Sequence, residues 1–358
     1  MVQRTTQCTF PTAMEHVSPG TSAQDSFRSQ DDNDVQMVQI DNTIPDGLTL
    51  DQKRKRTDSL GPIDGGTDEK AIIRLLGQRN ASQRKKIREA YQQLYNKSLI
   101  DDLNSETLRR GFTVTSLTFP FLLPLTLGVT KWLELMLNFL ALLLKAVILW
   151  TYDPPERDAR LANEALKSRR KNLKELQVIV EIACASSPDH LIAVRQEYCS
   201  LFNCSLEEDI TKNVSLPVQK ILVSMVSSYR YDKEVVDNSI ANLEAAKLRE
   251  SIRTKKLDRD DLVFILSTRN IYQLGACFEC YKQNYGYSID QVVKDSVVGF
   301  GTDENSLTRA IVMRAEIDMM KVRGEYNIMY KTSLDYAVED DTSGDYRDFL
   351  MTLLGANI

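Results

Sequence analysis

Histidine is almost missing from this chain of 358 residues, which has only 2. That leaves little material for a histidine-rich metal centre. Cysteine is scarce as well, 6 in all, too few for a disulfide scaffold at this length. No large charge excess exists: 45 Lys+Arg stand against 50 Asp+Glu, a net of -5. A dedicated nucleic-acid binder usually shows a strong basic excess, so that class is disfavoured. The same mild acidity opposes contact with anionic lipid unless something positive lies between. The opening MVQRTTQCTF carries no apolar run, so a secretory signal is not expected there. A cytosolic, reducing compartment is the expectation. No Gly-Lys-Ser/Thr phosphate loop occurs, and no Ser-His-Asp or Cys-His arrangement can be assembled, so the chain reads as a non-enzyme.

Apolar residues make up 42%, enough for folded cores. Residues 1–60 are polar, with the run Gln30-Asp31-Asp32-Asn33-Asp34, and read as disordered. Lys53-Arg54-Lys55-Arg56 reads as a solvated basic cluster rather than a localisation signal. From about residue 64 the pattern is helical.

The informative feature is an internal repeat. Its anchors are Arg79, Ser186, Arg269 and Arg314. Eight residues on stand Ile87, Val194, Cys277 and Val322. Twelve on stand Tyr91, Tyr198, Tyr281 and Tyr326, and sixteen on stand Tyr95, Phe202, Tyr285 and Tyr330. Twenty on stand Leu99, Leu206, Ile289 and Leu334. Steps of four hold one helical face, so each unit carries an aromatic-rich helix in the same register. Upstream, Thr67-Asp68, Leu257-Asp258 and Thr302-Asp303 are helix-start signals. Glu69 and Glu304 follow in the first turn, where the helix dipole favours anions.

The fourth unit opens Gly299-Phe300-Gly301-Thr302-Asp303-Glu304. Two glycines let a loop turn its carbonyl oxygens inward. Hard cations such as Ca²⁺ take six to eight oxygens, carbonyls and a bidentate carboxylate among them. Asp341 follows Thr302 by 39 residues, and Glu106 follows Thr67 by the same 39.

With GTDEKAIIRLLGQRN, LLKAVILWTYDPPERDA, DDLVFILSTRN, GFGTDENSLTRAIV and DTSGDY in view, the sequence resembles the annexins, most closely those of plants. The likeness spans residues 64–106 and 143–358. It implies an all-α fold of four repeats of about 70 residues. Each would be a five-helix bundle, and together they would form a curved disc. The implied activity is Ca²⁺-dependent peripheral binding to anionic phospholipid membranes, with room for oligomers there and no nucleic-acid partner. The implied repeats are 61–150, with an apolar insertion at 107–144, then 151–229, 230–291 (truncated) and 292–358.

Carried over residue by residue, the main Ca²⁺ site is the carbonyls of Val297, Gly299 and Gly301 with the carboxylate of Asp341. A weakened site is Pro62, Asp64 and Gly66 with Glu106, since Asp64 replaces the first glycine. The second unit has Lys171, Leu173 and Lys174 in the loop and Asn213 at the cap position. The third has Thr254, Lys256 and Leu257. Neither is expected to bind Ca²⁺. A histidine linked to peroxidase activity in some relatives is replaced by Gln78, and an actin-linked Ile-Arg-Ile reads Val263-Phe264-Ile265.

Two breaks interrupt the register. From Arg79 to Ser186 is 107 residues, and from Arg269 to Arg314 only 45. Against a family step of about 75, the first break adds about 32 residues and the second removes about 30, after Gln291. The added part holds Gly111 to Thr130 without a charge, long enough to span a bilayer as a helix. Pro120 and Pro124 interrupt it, so a non-native insertion is the preferred reading. The alternative is an integral or channel-like protein using residues 111–149. Trp132 to Leu149 is expected to be helical. Cys277 shares the core register of Ile87, Val194 and Val322, which favours a buried hydrophobe over a zinc ligand. His190 reads as a solvated residue at a helix start, and the anchor arginines as makers of structural ion pairs.

Overall fold

The computed structural model describes residues 69–105, 127–168, 173–227, 230, 233–256, 259–288 and 304–355. The polar head 1–60, the basic cluster Lys53–Arg56, the start signals Thr67-Asp68, Leu257-Asp258 and Thr302-Asp303, and residues 106–126 of the apolar insertion lie outside that set. Among the described residues every regular element is a helix.

The first unit has α1 (Glu69–Leu76), α2 (Ala81–Tyr95) and a helical stretch at 99–105, then α3 (Leu127–Thr151). The second is α4 (Pro154–Lys167), α5 (Leu173–Ala185), α6 (Pro188–Phe202), α7 (Leu206–Asn213) and α8 (Val218–Ser227). The third has α9 (Asn238–Thr254), α10 (Asp260–Thr268) and α11 (Ile271–Tyr285). The fourth has α12 (Glu304–Arg314), α13 (Met319–Tyr330), α14 (Leu334–Asp341) and α15 (Gly344–Leu354). The second unit therefore shows the whole five-helix set. The third shows its first three members, and the fourth its last four.

The register is expressed as structure. Tyr91, Tyr198 and Tyr281 are buried, each against the aromatic ring four residues on: Tyr91–Tyr95 at 4.7 Å, Tyr198–Phe202 at 4.8 Å and Tyr281–Tyr285 at 5.0 Å. Tyr326–Tyr330 repeats the pair at 4.6 Å. Burying such a side chain contributes about 1.5–3 kcal/mol. One position further, each helix stops at a left-handed residue: Asn96, Asn203, Gly286 and Lys331. The next helix then starts on a serine. Ser98, Ser205 and Ser333 accept the backbone N–H of the third residue on, at 3.3, 3.1 and 3.1 Å. These stops and starts make the corner between the long helix and its short successor.

The helix starts agree less well. Asn80, Ser187 and Asn270, one past their anchors, cap α2, α6 and α11. The fourth unit has Ala315 there, which cannot cap. Its helix begins later, at Met319, behind Asp318.

One large core joins helices of the first, second and fourth units. A smaller one, of Ala241, Ala245, Leu248, Leu262, Ile265, Cys277 and Tyr281, belongs to α9–α11 alone. The first and fourth units meet closely. A Cβ on Gly77 would come within 2.7 Å of the Ile73 carbonyl and 3.1 Å of Thr352 on α15. Trp150 of α3 donates its indole N–H to the Leu76 carbonyl at 2.8 Å. The buried Arg84 forks onto Glu316 at 2.8 and 3.1 Å and stacks 3.7 Å from the Trp150 ring. The second and fourth units are tied by Arg309–Glu181 at 3.0 Å and by Arg314 donating to the Ala185 carbonyl at 3.1 Å.

The expected helix over Trp132–Leu149 is present and longer, starting at Leu127. Its second half is core: Leu143, Leu144, Ala146 and Val147 are all buried among protein side chains.

Candidate metal centre

Of the eight residues assigned to Ca²⁺ by sequence, Asp341 alone is described. Val297, Gly299 and Gly301, and all of Pro62, Asp64, Gly66 and Glu106, lie outside the described residues.

Asp341 is the last residue of α14, a helix started by Ser333. The next residue, Thr342, is buried and turns its hydroxyl back to the Val338 carbonyl. Gly344 then takes a left-handed φ of 61° and opens α15. Such a φ suits glycine, because it has no Cβ to clash. This turn leaves Asp341 exposed. Among the described residues no ion pair engages its carboxylate.

Five residues on, Tyr346 is buried. Its hydroxyl lies 2.8 Å from Thr308 Oγ1 and donates to the Glu304 carbonyl at 3.3 Å. Glu304 opens α12, two residues after Thr302. The tyrosine thus pins the start of α12 to the start of α15. The chain leaving the glycine loop and the turn carrying Asp341 are held at one end of the fourth unit. Sequence reading did not find this tie, although Tyr346 stood in the quoted DTSGDY.

The corresponding positions in the other units differ chemically. Asn213 ends α7 and donates its amide to the Asp209 carbonyl at 2.9 Å, so it brings no carboxylate. Leu173 opens α5 directly. Thr254 is the last residue of α9, with its hydroxyl on the Glu250 carbonyl at 2.8 Å. Lys255 closes that helix in a left-handed conformation, and the Lys256 N–H bonds the Ser251 carbonyl at 3.2 Å. That stretch is a capped helix end. Lys171 and Leu257 lie outside the described residues.

Two other readings are decided here. Cys277 is fully buried, and its thiol is pushed up to about 12, first by that burial and then by the Glu244 charge. It is an inert core side chain. No group of three or more metal-ligating side chains occurs among the described residues. His190 requires a correction. It does sit at a helix start, its N–H bonded to Ser187 Oγ at 3.3 Å, but its ring is not given over to solvent. Nε2 lies 2.7 Å from Asp158 Oδ2 on α4, while Arg157 Nε donates to Oδ1 at 2.7 Å. Burial alone would raise the Asp158 carboxyl, but the His190 hydrogen bond and the Arg157 charge hold it below its ordinary value. A contact across 32 residues leaves no mark in local sequence. Two of the three anchor arginines form ion pairs, Arg269 with Glu244 at 2.7 Å and Arg314 with Asp318, whereas among the described residues no ion pair engages Arg79.

The annexin family model matches residues 63–108, 157–225, 244–299 and 291–353. The chain belongs to the annexin family. The gap between 108 and 157 holds the apolar insertion, and the third and fourth matches overlap over 291–299, where the register runs short. This annexin is 48% identical over 326 residues to Annexin D3 of Arabidopsis thaliana, covering 82% of the chain and 92% of that protein. It is 37% identical over 320 residues to Annexin-like protein RJ4 of Fragaria ananassa, covering 81% and 91%. A solved structure of chicken annexin V in complex with Zn²⁺ superposes with a TM-score of 0.66 at 25% identity, covering 88% of this chain and 98% of that one. Calcium-bound annexin (Sm)1 superposes at 0.56 and 24% identity, covering 87% and 91%. That likeness shows the fold.

Among the described residues of this annexin, no helix is long and apolar enough to cross a membrane.

Proposed function

We propose that this annexin attaches peripherally to anionic phospholipid membranes through Ca²⁺ held in its fourth repeat. The observation that carries the reading is the Tyr346–Glu304 tie, which keeps the exposed Asp341 carboxylate at the same end as the chain leaving the Gly299–Thr302 loop. An exposed, unpaired carboxylate suits a hard cation, and the loop's spacing offers the carbonyls of Val297, Gly299 and Gly301 as its other oxygens. Bound there, the ion would supply open coordination positions for lipid phosphate oxygens. Asp341 and the carbonyls would hold it, and the carboxylate would neutralise part of its charge. A protein of net charge -5 would then meet an acidic surface through a positive centre. The family's membership and a relative solved with calcium bound support the same reading. Pro62, Asp64 and Gly66 with Glu106 form a second, weaker candidate. We read the protein as cytoplasmic and non-catalytic.

The test is co-sedimentation with phosphatidylserine vesicles at graded Ca²⁺, comparing the unaltered chain with Asp341→Ala. The expected result is Ca²⁺-dependent pelleting, reversed by EDTA, with the half-saturating Ca²⁺ raised about tenfold or more in the variant, the effect of losing about 1.4 kcal/mol of ion binding. Binding that persists in EDTA, or that ignores the substitution, overturns the one-site reading.

A further inference from the structure

Each long helix after an anchor has an outward stripe at six, ten and fourteen residues past that anchor. On α2 it is Lys85, Glu89 and Gln93, on α6 Ile192, Gln196 and Ser200, and on α11 Gly275, Glu279 and Gln283. Of these nine, Ile192 is half-buried and the others are exposed. On α13 the same stripe is Met320, Gly324 and Ile328. Met320 is 73% and Ile328 64% exposed, and a Cβ on Gly324 would meet nothing within 4 Å. Ile317, in the turn just before α13, is exposed too. The fourth repeat therefore shows water an apolar helix face where its sisters are polar. Steps of four keep the three residues on one line, and exposed apolar patches rimmed by polar groups mark contact surfaces. A glycine between two long side chains lets a second helix come close, because interaxial distance follows the side chains at the crossing.

We propose that this stripe docks a second copy of the chain, α13 against α13, antiparallel about a two-fold axis through Gly324. That axis sets Met320 of each copy over Ile328 of the other and Gly324 over Gly324, a self-complementary contact. Charge fixes the direction. Lys321 and Glu325 are exposed along one flank of the stripe. In an antiparallel pair this flank meets itself reversed, so Lys321 of each copy comes opposite Glu325 of the other. A parallel pair would set it against Asn327 and Arg323, and the Arg323 guanidinium is already held by Asp335 and the Leu354 carbonyl. A single helix pair buries less than the roughly 1,200 Å² of a standard interface, so the dissociation constant is on the order of micromolar to millimolar. The inference stands independently of Ca²⁺.

The test is sedimentation equilibrium of the full chain in EDTA, without lipid, from micromolar to near-millimolar loading. The expected result is a reversible monomer–dimer equilibrium. Met320→Glu with Ile328→Glu lowers the association constant at least tenfold, with helix content by circular dichroism unchanged because both positions face solvent. Lys321→Glu and Glu325→Lys each weaken the dimer, and the two together restore it. A chain that stays monomeric throughout, as it would if the stripe served a different protein, overturns the proposal. So does a dimer indifferent to the paired glutamates, or a charge swap that fails to restore.

Discussion

Glu316→Ala and Arg84→Met break the same ion pair, yet the structure predicts unequal costs. The Arg84 side chain is 1% exposed and that of Glu316 29%. Removing Glu316 strands a guanidinium in the interior with only the Arg79 carbonyl, at 2.6 Å, and the Trp150 ring as company. An uncompensated buried charge costs about 3–5 kcal/mol. Glu316→Ala also takes the acceptor from the Ala81 N–H, bonded at 2.7 Å. Removing Arg84 instead leaves a carboxylate that keeps the Ala81 hydrogen bond and reaches water. Its stem is replaced by methionine, so the expected cost is about 1–3 kcal/mol, that of a charged hydrogen bond. Urea titration read by tryptophan fluorescence suits the case, since Trp150 lies against the pair and the chain has only 2 tryptophans. Glu316→Ala should lower the midpoint more than Arg84→Met does. The reverse order, or two costs below about 1 kcal/mol, would refute the claim that this contact welds the first unit to the fourth.

The remaining predictions concern single side chains and one unit. Tyr198→Phe should cost about 1–3 kcal/mol, because its hydroxyl donates to Asp209 at 2.6 Å and accepts from Asn163 at 3.0 Å. Tyr281→Phe should be neutral or stabilising in the same denaturation assay, because its buried hydroxyl has no partner among the described residues. Asp158 has a folded value below its unfolded one, so its contribution is whole above the unfolded carboxylate range, near pH 4. It is lost as pH falls through the lowered value, and Asp158→Asn should flatten the acid limb of the stability curve there. Amide hydrogen exchange should be faster in α9–α11 than in α4–α8, since the former close on a core of seven buried residues and the latter on the large shared core. Equal protection in the two sets would count against that division.

The helix register was legible because it rests on local chemistry. Aromatics four apart and an apolar partner four before them define one helix face, and the leucine that follows in the first, second and fourth units opens the next helix, as the structure shows. The caps were just as legible and went unread: Asn96, Asn203, Gly286 and Lys331 stand at one repeat position, and Ser98, Ser205, Ser288 and Ser333 at another. Of these, Lys331 is the residue that propensity opposes, because a lysine at φ 59° carries a Cβ penalty that glycine avoids. The contacts between units were not legible. Arg84 reaches Glu316 across 232 residues and Arg309 reaches Glu181 across 128. Nothing within one repeat distinguishes these arginines from solvated ones.

The third repeat shows what its buried tyrosine does without the polar partners found elsewhere. In the first two units the buried tyrosine donates to an aspartate eleven residues on, Tyr91 to Asp102 and Tyr198 to Asp209. Eleven residues past Tyr281 stands Val292, so that acceptor is gone. The second contact is gone too. Lys167 lies over Phe202 and Arg249 over Tyr285, which aligns α4 with α9 and sets Ala245 where α4 has Asn163. Alanine has no amide to offer. The Tyr281 hydroxyl is therefore orphaned twice, by Val292 at the aspartate position and by Ala245 at the asparagine position. An unsatisfied buried hydroxyl costs about 1–3 kcal/mol. That sum is tolerable because the ring still packs against Tyr285 and Tyr287, at 5.0 and 5.8 Å. The third repeat keeps the shape of its aromatic face without the tyrosine–aspartate hydrogen bond that the first two units use to fix it.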